Sequence, residues 1–426
     1  MNYAEARQFL DRFPRFEVKP GLRRIQALVE ALDHPHLAYP TIHVGGTNGK
    51  GSVVAMLDSV LRCAGFRVGR FTSPELIDFR DRIAVNGDWI SEDEFAQVVT
   101  RMAPFVAALE EAPSQFEIIT VVAFDHLACA GIDIGVIEVG LGGRFDATNV
   151  VRPELAVLTS VALDHQAILG DTVEAIAWEK AGIATANTPL LVGDLPASVS
   201  KVVSAECDRV GAILAAVSGI DVTRRTRDWE TAVYQVRGAG DICEIVLPLI
   251  GSAQEGNLRL VLGAIRELRL RGFEISDEAI VQGLRSVQWP GRLEVVRTQP
   301  RIVLDGAHNP AAIRALVADV VDLVPNPKHR SLLYGTLLDK DVDTSLAILG
   351  DVFPGIGVCA SQSPRALPVD RLSEQAGEYF QNIVRYHSVV DGIGAWLSHA
   401  GAEDVLVVSG SLTVVAEARR WLIGET

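Results

Sequence analysis

The chain has 426 residues, too many for one ordinary hydrophobic core, so two domains are expected. A formal charge of −15 argues against nucleic acid or an anionic membrane as a general partner, so any anionic ligand has to be met by local basic groups. A hydrophobic content of 48% with 37 glycines suits a packed α/β enzyme. No stretch approaches 18 uncharged apolar residues, and residues 1–19 lack the apolar core of a signal peptide. A cytoplasmic protein without a membrane span is therefore expected. Five scattered cysteines without a C-x-x-C pair read as buried, reduced thiols.

Residues 1–40 read as helical, with breaks at Pro14 and Pro20. The stretch Thr41-Ile-His-Val-Gly-Gly-Thr-Asn-Gly-Lys-Gly-Ser52 follows: an apolar run, a Gly-rich turn, then a helix over 53–64. Backbone N–H groups at such a turn and the helix dipole favour an anion, and Lys50 can reach a terminal phosphate. The usual phosphate-loop spacing is not met. Its first Gly falls on Val44, and Gly51 stands between Lys50 and Ser52. A plain tight turn is the alternative reading.

Strands are predicted at 67–71, 134–139, 155–158 and 190–192, with helices at 92–111, 117–129 and 173–182. This alternation implies a mostly parallel, doubly wound sheet. Region 205–250 carries alternating patterns at 231–236 and 242–247 and reads as an antiparallel insertion. Beyond Thr298-Gln-Pro300, read as a linker, strands at 301–304, 331–334, 356–359, 383–386 and 404–408 alternate with helices. That pattern predicts a second, smaller doubly wound domain. The division is set at 1–296 and 297–426, with the ligand cleft at the strands' carboxyl ends.

Several residues stand out chemically. Glu138 ends an apolar strand, as an Mg²⁺ ligand or the partner of an arginine such as Arg144. The Gly-rich segment from Gly140 to Asn149 reads as a ligand-facing loop. His165 directly follows a strand, as a metal ligand or a cap. Lys180 lies in a mostly apolar helix. It is either solvated or a buried amine that reacts with CO₂ to give a carbamate. Asp305 is placed for a ribose hydroxyl. Asn309 can cap a helix begun by Pro310, and Arg292 is a candidate phosphate clamp.

Taken together, GTNGKGS (46–52), FTSP (71–74), EVGLGGRFDATN (138–149), LDH (163–165), EKAGI (179–183), WPGRLE (289–294), DGAHNP (305–310), DKD (339–341) and GSL (410–412) resemble the folylpolyglutamate synthase/dihydrofolate synthase family. This is the folate branch of the Mur ligases, and the resemblance runs nearly end to end.

The resemblance implies an N-terminal P-loop-type ATPase domain and a smaller C-terminal Rossmann-like, glutamate-ligase domain. It implies ATP and Mg²⁺, and a pterin acid activated as an acyl phosphate and then attacked by L-glutamate. Lys50 would grip phosphates within the loop formed by Gly46, Thr47, Asn48, Gly49, Gly51 and Ser52. Ser52 and Glu138 would hold one Mg²⁺. Ser73, His165 and carbamylated Lys180 would surround a second. Asn257, Arg292 and Asp305 would contact ATP. His308, Lys340 and Ser411 would lie near glutamate or the phosphates, with Lys50, Lys180, His308 and Arg292 as the catalytic set. Glu75, Asp81, Arg82 and Asp146 complete the expected substrate side.

Glu75, Asp81 and Ala253 depart from the family pattern, which places His, Glu and His there. The nearest alternative is another Mur-type ligase, such as one acting on a UDP-muramyl precursor. Small-molecule partners and a monomer are expected, with no nucleic-acid or membrane partner.

Overall fold

The structure is a computed structural model that describes residues 1–15 and 21–424. Pro20 lies outside the described residues. The larger sheet has eight strands: β1 (Thr41–Gly45), β2 (Val68–Phe71), β3 (Ile83–Val85), β4 (Asp88–Trp89), β5 (Ile134–Glu138), β6 (Leu155–Leu158), β7 (Pro189–Val192) and β8 (Ile213–Ala216). Their order is β4-β3-β2-β5-β1-β6-β7-β8. From β2 to β8 every pair is parallel. The central strands are apolar runs because helices cover both faces. β1, β5 and β6 are buried along their whole length.

The helix Lys50–Cys63 is buried from Gly51 to Leu61. Its Val53, Met56 and Leu57 share one core with Leu258 and Leu262 of the helix Gln254–Leu270. The hairpin β3–β4 was missed in the sequence pattern, although Asn86-Gly87 at its turn is a strong hairpin signal. Both turn residues have positive φ, 51° and 91°.

Region 205–250 is only partly an antiparallel insertion. The helix Ala197–Val210 runs into it, and β8 still belongs to the parallel sheet. Four mostly exposed residues of an edge strand leave little periodicity to read. The insertion proper is the sheet of β9 (Asp221–Arg227), β10 (Ala232–Arg237) and β11 (Glu244–Leu247).

The second sheet contains β12 (Glu294–Thr298), β13 (Arg301–Leu304), β14 (Arg330–Tyr334), β15 (Ile356–Val358), β16 (Ile383–Arg385) and β17 (Val405–Ser409). Its order is β12-β13-β17-β14-β15-β16, parallel except for β12. The expected linker is corrected here. Thr298 pairs with Arg301, so Gln299-Pro300 is the turn of the β12–β13 hairpin, and residues 296 and 297 lie within one strand of this sheet. The cysteine expectation is corrected as well. All five are free thiols, but only Cys207 and Cys359 are buried.

The carboxyl ends of β5, β1 and β6 lie side by side, with Val44 against Glu138 and Gly45 against Leu158. Those of β13, β17 and β14 do likewise in the second unit. The functional segments emerge from these two edges.

Candidate active site

Gly45 leads into the loop that opens the helix Lys50–Cys63. Small residues are required by space. Gly46 has φ 141°, and a Cβ there would collide with Thr159 Oγ1. Gly49 has φ 91° and abuts the Asn257 amide. The Gly51 that breaks the usual spacing lies under the Trp289 ring, where a Cβ would come within 2.7 Å. The loop is stapled to the segment after β6. Thr159 Oγ1 and Ser160 Oγ donate to the Asn48 carbonyl at 2.7 and 3.0 Å, and the Thr47 amide donates to the Ser160 carbonyl.

Two lysines converge on this loop. Lys50 Nζ donates to the carbonyls of Gly46 and Thr47 at 3.1 and 3.3 Å. Lys180 Nζ donates to the same Gly46 carbonyl at 3.0 Å. Neither forms an ion pair with a carboxylate among the described residues. Lys180 is not solvated: it is 4% exposed. Burial, reinforced by the Lys50 charge, pulls its pKa down to about 7.

Glu138 is buried and is not the partner of Arg144, which pairs with Glu206. Its carboxylate accepts from the Ser73 amide at 3.3 Å, and burial raises its pKa against the nearby charge of Lys50. Ser52 is also buried, and its hydroxyl meets Gln254 Nε2 at 3.4 Å. Gln254 in turn accepts from Asn257. Both Ser52 and Glu138 keep oxygen lone pairs unspent, a hard donor set suited to Mg²⁺. Among the described residues no group of three or more His, Cys, Asp or Glu could enclose a metal by itself. That accords with the habit of Mg²⁺, which takes one or two protein oxygens and completes its shell with phosphate and water.

The second unit closes over the loop. Asn309 caps the helix Pro310–Leu323 through the Ala312 amide at 2.9 Å, as expected of a cap. It also exchanges side-chain hydrogen bonds with Asn48, at 3.0 and 3.2 Å. His165 has φ 50° and makes no side-chain cap bond on its short helix. It faces the second unit, with Nε2 3.4 Å from Lys340 Nζ and Nδ1 3.9 Å from Asp339. Burial and then the Lys340 charge lower its pKa to about 4, so it is neutral at pH 7.

Asp164 escaped the sequence reading, although it lies in the L-D-H motif. It accepts from Lys340 at 2.8 Å and from Asn309 at 3.0 Å, with His308 Nε2 3.5 Å away. Burial works against its charge, but His308 and Lys340 hold its carboxyl well below the usual range.

Arg292 donates to the Gly291 carbonyl, and its charge acts on both Glu138 and Asp305. Asp305 receives the amides of Leu293 and Ala307, each at 2.8 Å. Leu293, at φ 50°, is a strained left-handed position for a leucine, of the kind that collects at ligand sites. His308 is oriented by Nδ1 against the Gly306 carbonyl at 2.8 Å. Ser411 is buried and caps the last helix through the Val414 amide.

Other expected residues turn inward. Glu75 is held between Arg82 and Arg15, which outweigh its burial and lower its pKa. Both of its carboxylate oxygens are engaged by these arginines. Asp81 receives the Leu76 and Ile77 amides at 2.9 and 2.7 Å and shapes that loop. Asp146 is buried against Thr148, whose hydroxyl meets His43 Nε2 at 2.8 Å. It braces the Gly-rich loop from within. Ala253 directly precedes Gln254, so its missing side chain leaves the Gln254–Ser52 contact in place.

Two parallel-rich units thus meet edge to edge, one carrying the Gly-rich loop with Lys50 and the other Lys340, His308 and Ser411. Residues 291–412 match the family "Mur ligase, glutamate ligase domain". The fold and site define an ATP-dependent ligase of the Mur type. The chain is 36% identical to the dihydrofolate synthase/folylpolyglutamate synthase of Bacillus subtilis over 99% of both proteins. It is also 36% identical to a probable bifunctional folylpolyglutamate synthase/dihydropteroate synthase of Halobacterium salinarum, matching 99% of this chain but spanning only about half of that relative (52%). Folylpolyglutamate synthase of Mycobacterium tuberculosis complexed with ADP superposes with a TM-score of 0.91 at 34% identity, covering 100% of this chain and 98% of the other. The chain belongs to the dihydrofolate synthase/folylpolyglutamate synthase family, which sets aside the muramyl-ligase alternative.

Proposed function

We propose that the protein joins L-glutamate to a pterin-bearing acid, dihydropteroate or a reduced folate, at the expense of ATP. The observation that carries this reading is the pair Lys50 and Lys180. Two lysine side chains without carboxylate partners among the described residues converge on one carbonyl at a helix N-terminus: the Lys50 ammonium and the backbone N–H groups call for a polyanion, and the Lys180 amine, with a pKa of about 7, is open to carbamylation. ADP in the mycobacterial relative is consistent with a nucleotide there.

In this reading Lys50 holds the β- and γ-phosphates, and Asn257, Arg292 and Asp305 contact the nucleotide. Ser52 and Glu138 hold Mg²⁺, which when bound offsets charge on the transferring phosphoryl group. The acid's carboxylate oxygen attacks the γ-phosphorus, ADP leaves, and an acyl phosphate remains. The glutamate amine adds to the acyl carbon and loses a proton, and the C–O bond to phosphate breaks. His308, Lys340 and Ser411 lie on the amino-acid side. Ser73, His165 and Lys180 flank the transferred group. The protein acts as a cytoplasmic monomer on small molecules.

Lys180 further fits a carbamate. A pKa near 7 leaves much of the amine neutral at pH 7. The amine forms an N–C bond to CO₂ and its proton passes to solvent.

The test is ADP release with ATP, L-glutamate and either dihydropteroate or tetrahydrofolate. Release that requires both glutamate and one of the two acids supports the reading. Release independent of glutamate overturns it.

A further inference from the structure

The Asp164 carboxylate, 9% exposed, stands at the carboxyl-end edge of the large sheet with three donors of the second unit around it. One oxygen accepts from Lys340 Nζ at 2.8 Å, and His165 lies on the same ammonium's other side at 3.4 Å. The other oxygen accepts from Asn309 Nδ2 at 3.0 Å and faces His308 Nε2 at 3.5 Å. Asn309 continues the connection to Asn48 in the phosphate loop. The chain Asn48–Asn309–Asp164–Lys340 therefore crosses repeatedly between the units. A carboxylate suits its centre because it offers two acceptor oxygens, whereas an amide offers one acceptor and one donor.

We propose that Asp164 is a positioning residue that sets the register of the second unit on the phosphate loop and thereby places Lys340 and His308 for the incoming amino acid. This rests on the glutamate-ligase reading above. Asp164 acts through its donors. With Lys340 tied to it, the ammonium sits between Asp164 and His165 and out of solvent. A shift of about an ångström at such a junction costs up to about a hundredfold in rate.

Three variants test this: Asp164→Ala, Asp164→Asn, and Asp164→Asn combined with Asn309→Asp. In the double variant the new amide at position 164 accepts from Lys340 and donates to the new carboxylate at position 309, which still caps its helix. Asp164→Ala is expected to raise KM for glutamate at least about tenfold, with AMPPCP affinity within about threefold of wild type. Asp164→Asn should share the defect and the double variant should recover most of it.

A folded Asp164→Ala with unchanged glutamate KM overturns the proposal. So does a double variant no better than Asp164→Asn, a comparison that stands even where Asp164→Ala does not fold. Small-angle scattering separates the two readings. A wild-type protein without glutamate-dependent ADP release defeats the functional assignment. A larger radius for Asp164→Asn than for wild type still supports the register role, and equal radii count against it.

Discussion

Removing Lys50 takes a cation from the phosphate loop and nothing from a core, since its ammonium bonds only to its own loop. Lys50→Ala is expected to keep the wild-type thermal midpoint and lose at least about a hundredfold in turnover, the scale of one transition-state charge contact. Near-normal turnover would refute that role. Lys180 makes a pH-dependent prediction. Its folded pKa of about 7 lies below the usual 10.5, so raising the pH through 7 frees the amine from its proton. Carbamate content, read by ¹³C NMR after ¹³C-bicarbonate, should rise across that window and vanish in Lys180→Ala. A flat profile would show that the amine does not react. Glu75 carries a stability prediction. Glu75→Ala strands the buried Arg82 guanidinium and should cost about 3 kcal/mol, measured by denaturant unfolding. The Arg15 contact is more exposed and adds little.

At the scale of elements, the Gly-rich loop was legible because a strand, a small-residue turn and a helix follow one another directly. Its odd spacing was not explicable from sequence, because the reason is Trp289, some 240 residues away and packed on Gly51. A Cβ at Gly46 would collide with Thr159 and with the Ser160 backbone, and φ 141° is closed to other residues. Gly46→Ala should therefore leave the sheet intact by circular dichroism but weaken AMPPCP binding by more than about tenfold. Unchanged affinity would mean the loop has slack that its packing does not show. The strands β1, β5 and β6 were readable as continuous apolar runs. The edge strands β4 and β8 were not, since two to four mostly exposed residues carry no period. The β12–β13 hairpin was mistaken for a linker because Pro300 reads locally as a break, and only pairing with β13 reveals the strand.

At the scale of the whole molecule, the two units are bridged by Asn48–Asn309 and Asp164–Lys340 beside the Gly-rich loop. On the ligase reading proposed above, glutamate enters there and the bridge opens and recloses. Scattering is expected to show a smaller radius with AMPPCP and pterin acid bound than without them. An unchanged radius would mean the bridged register is already the resting state. The sequence by itself determined the two doubly wound units, the strand, Gly-rich turn and helix of residues 41–63, and the family, since these rest on local periodicity and short motifs. It also marked Lys50, Glu138, Lys180 and His308. Tertiary structure alone decided which partner within the protein each polar group takes. Asp81, Asp146 and Glu75 share residue types with catalytic groups, yet their partners are nearby amides, a hydroxyl and arginines. Asp164, passed over beside His165, became a junction because two chain segments about 145 and 176 residues downstream bring it a donor each. The side chain's chemistry is written in the sequence, whereas its partners are set by packing across the cleft.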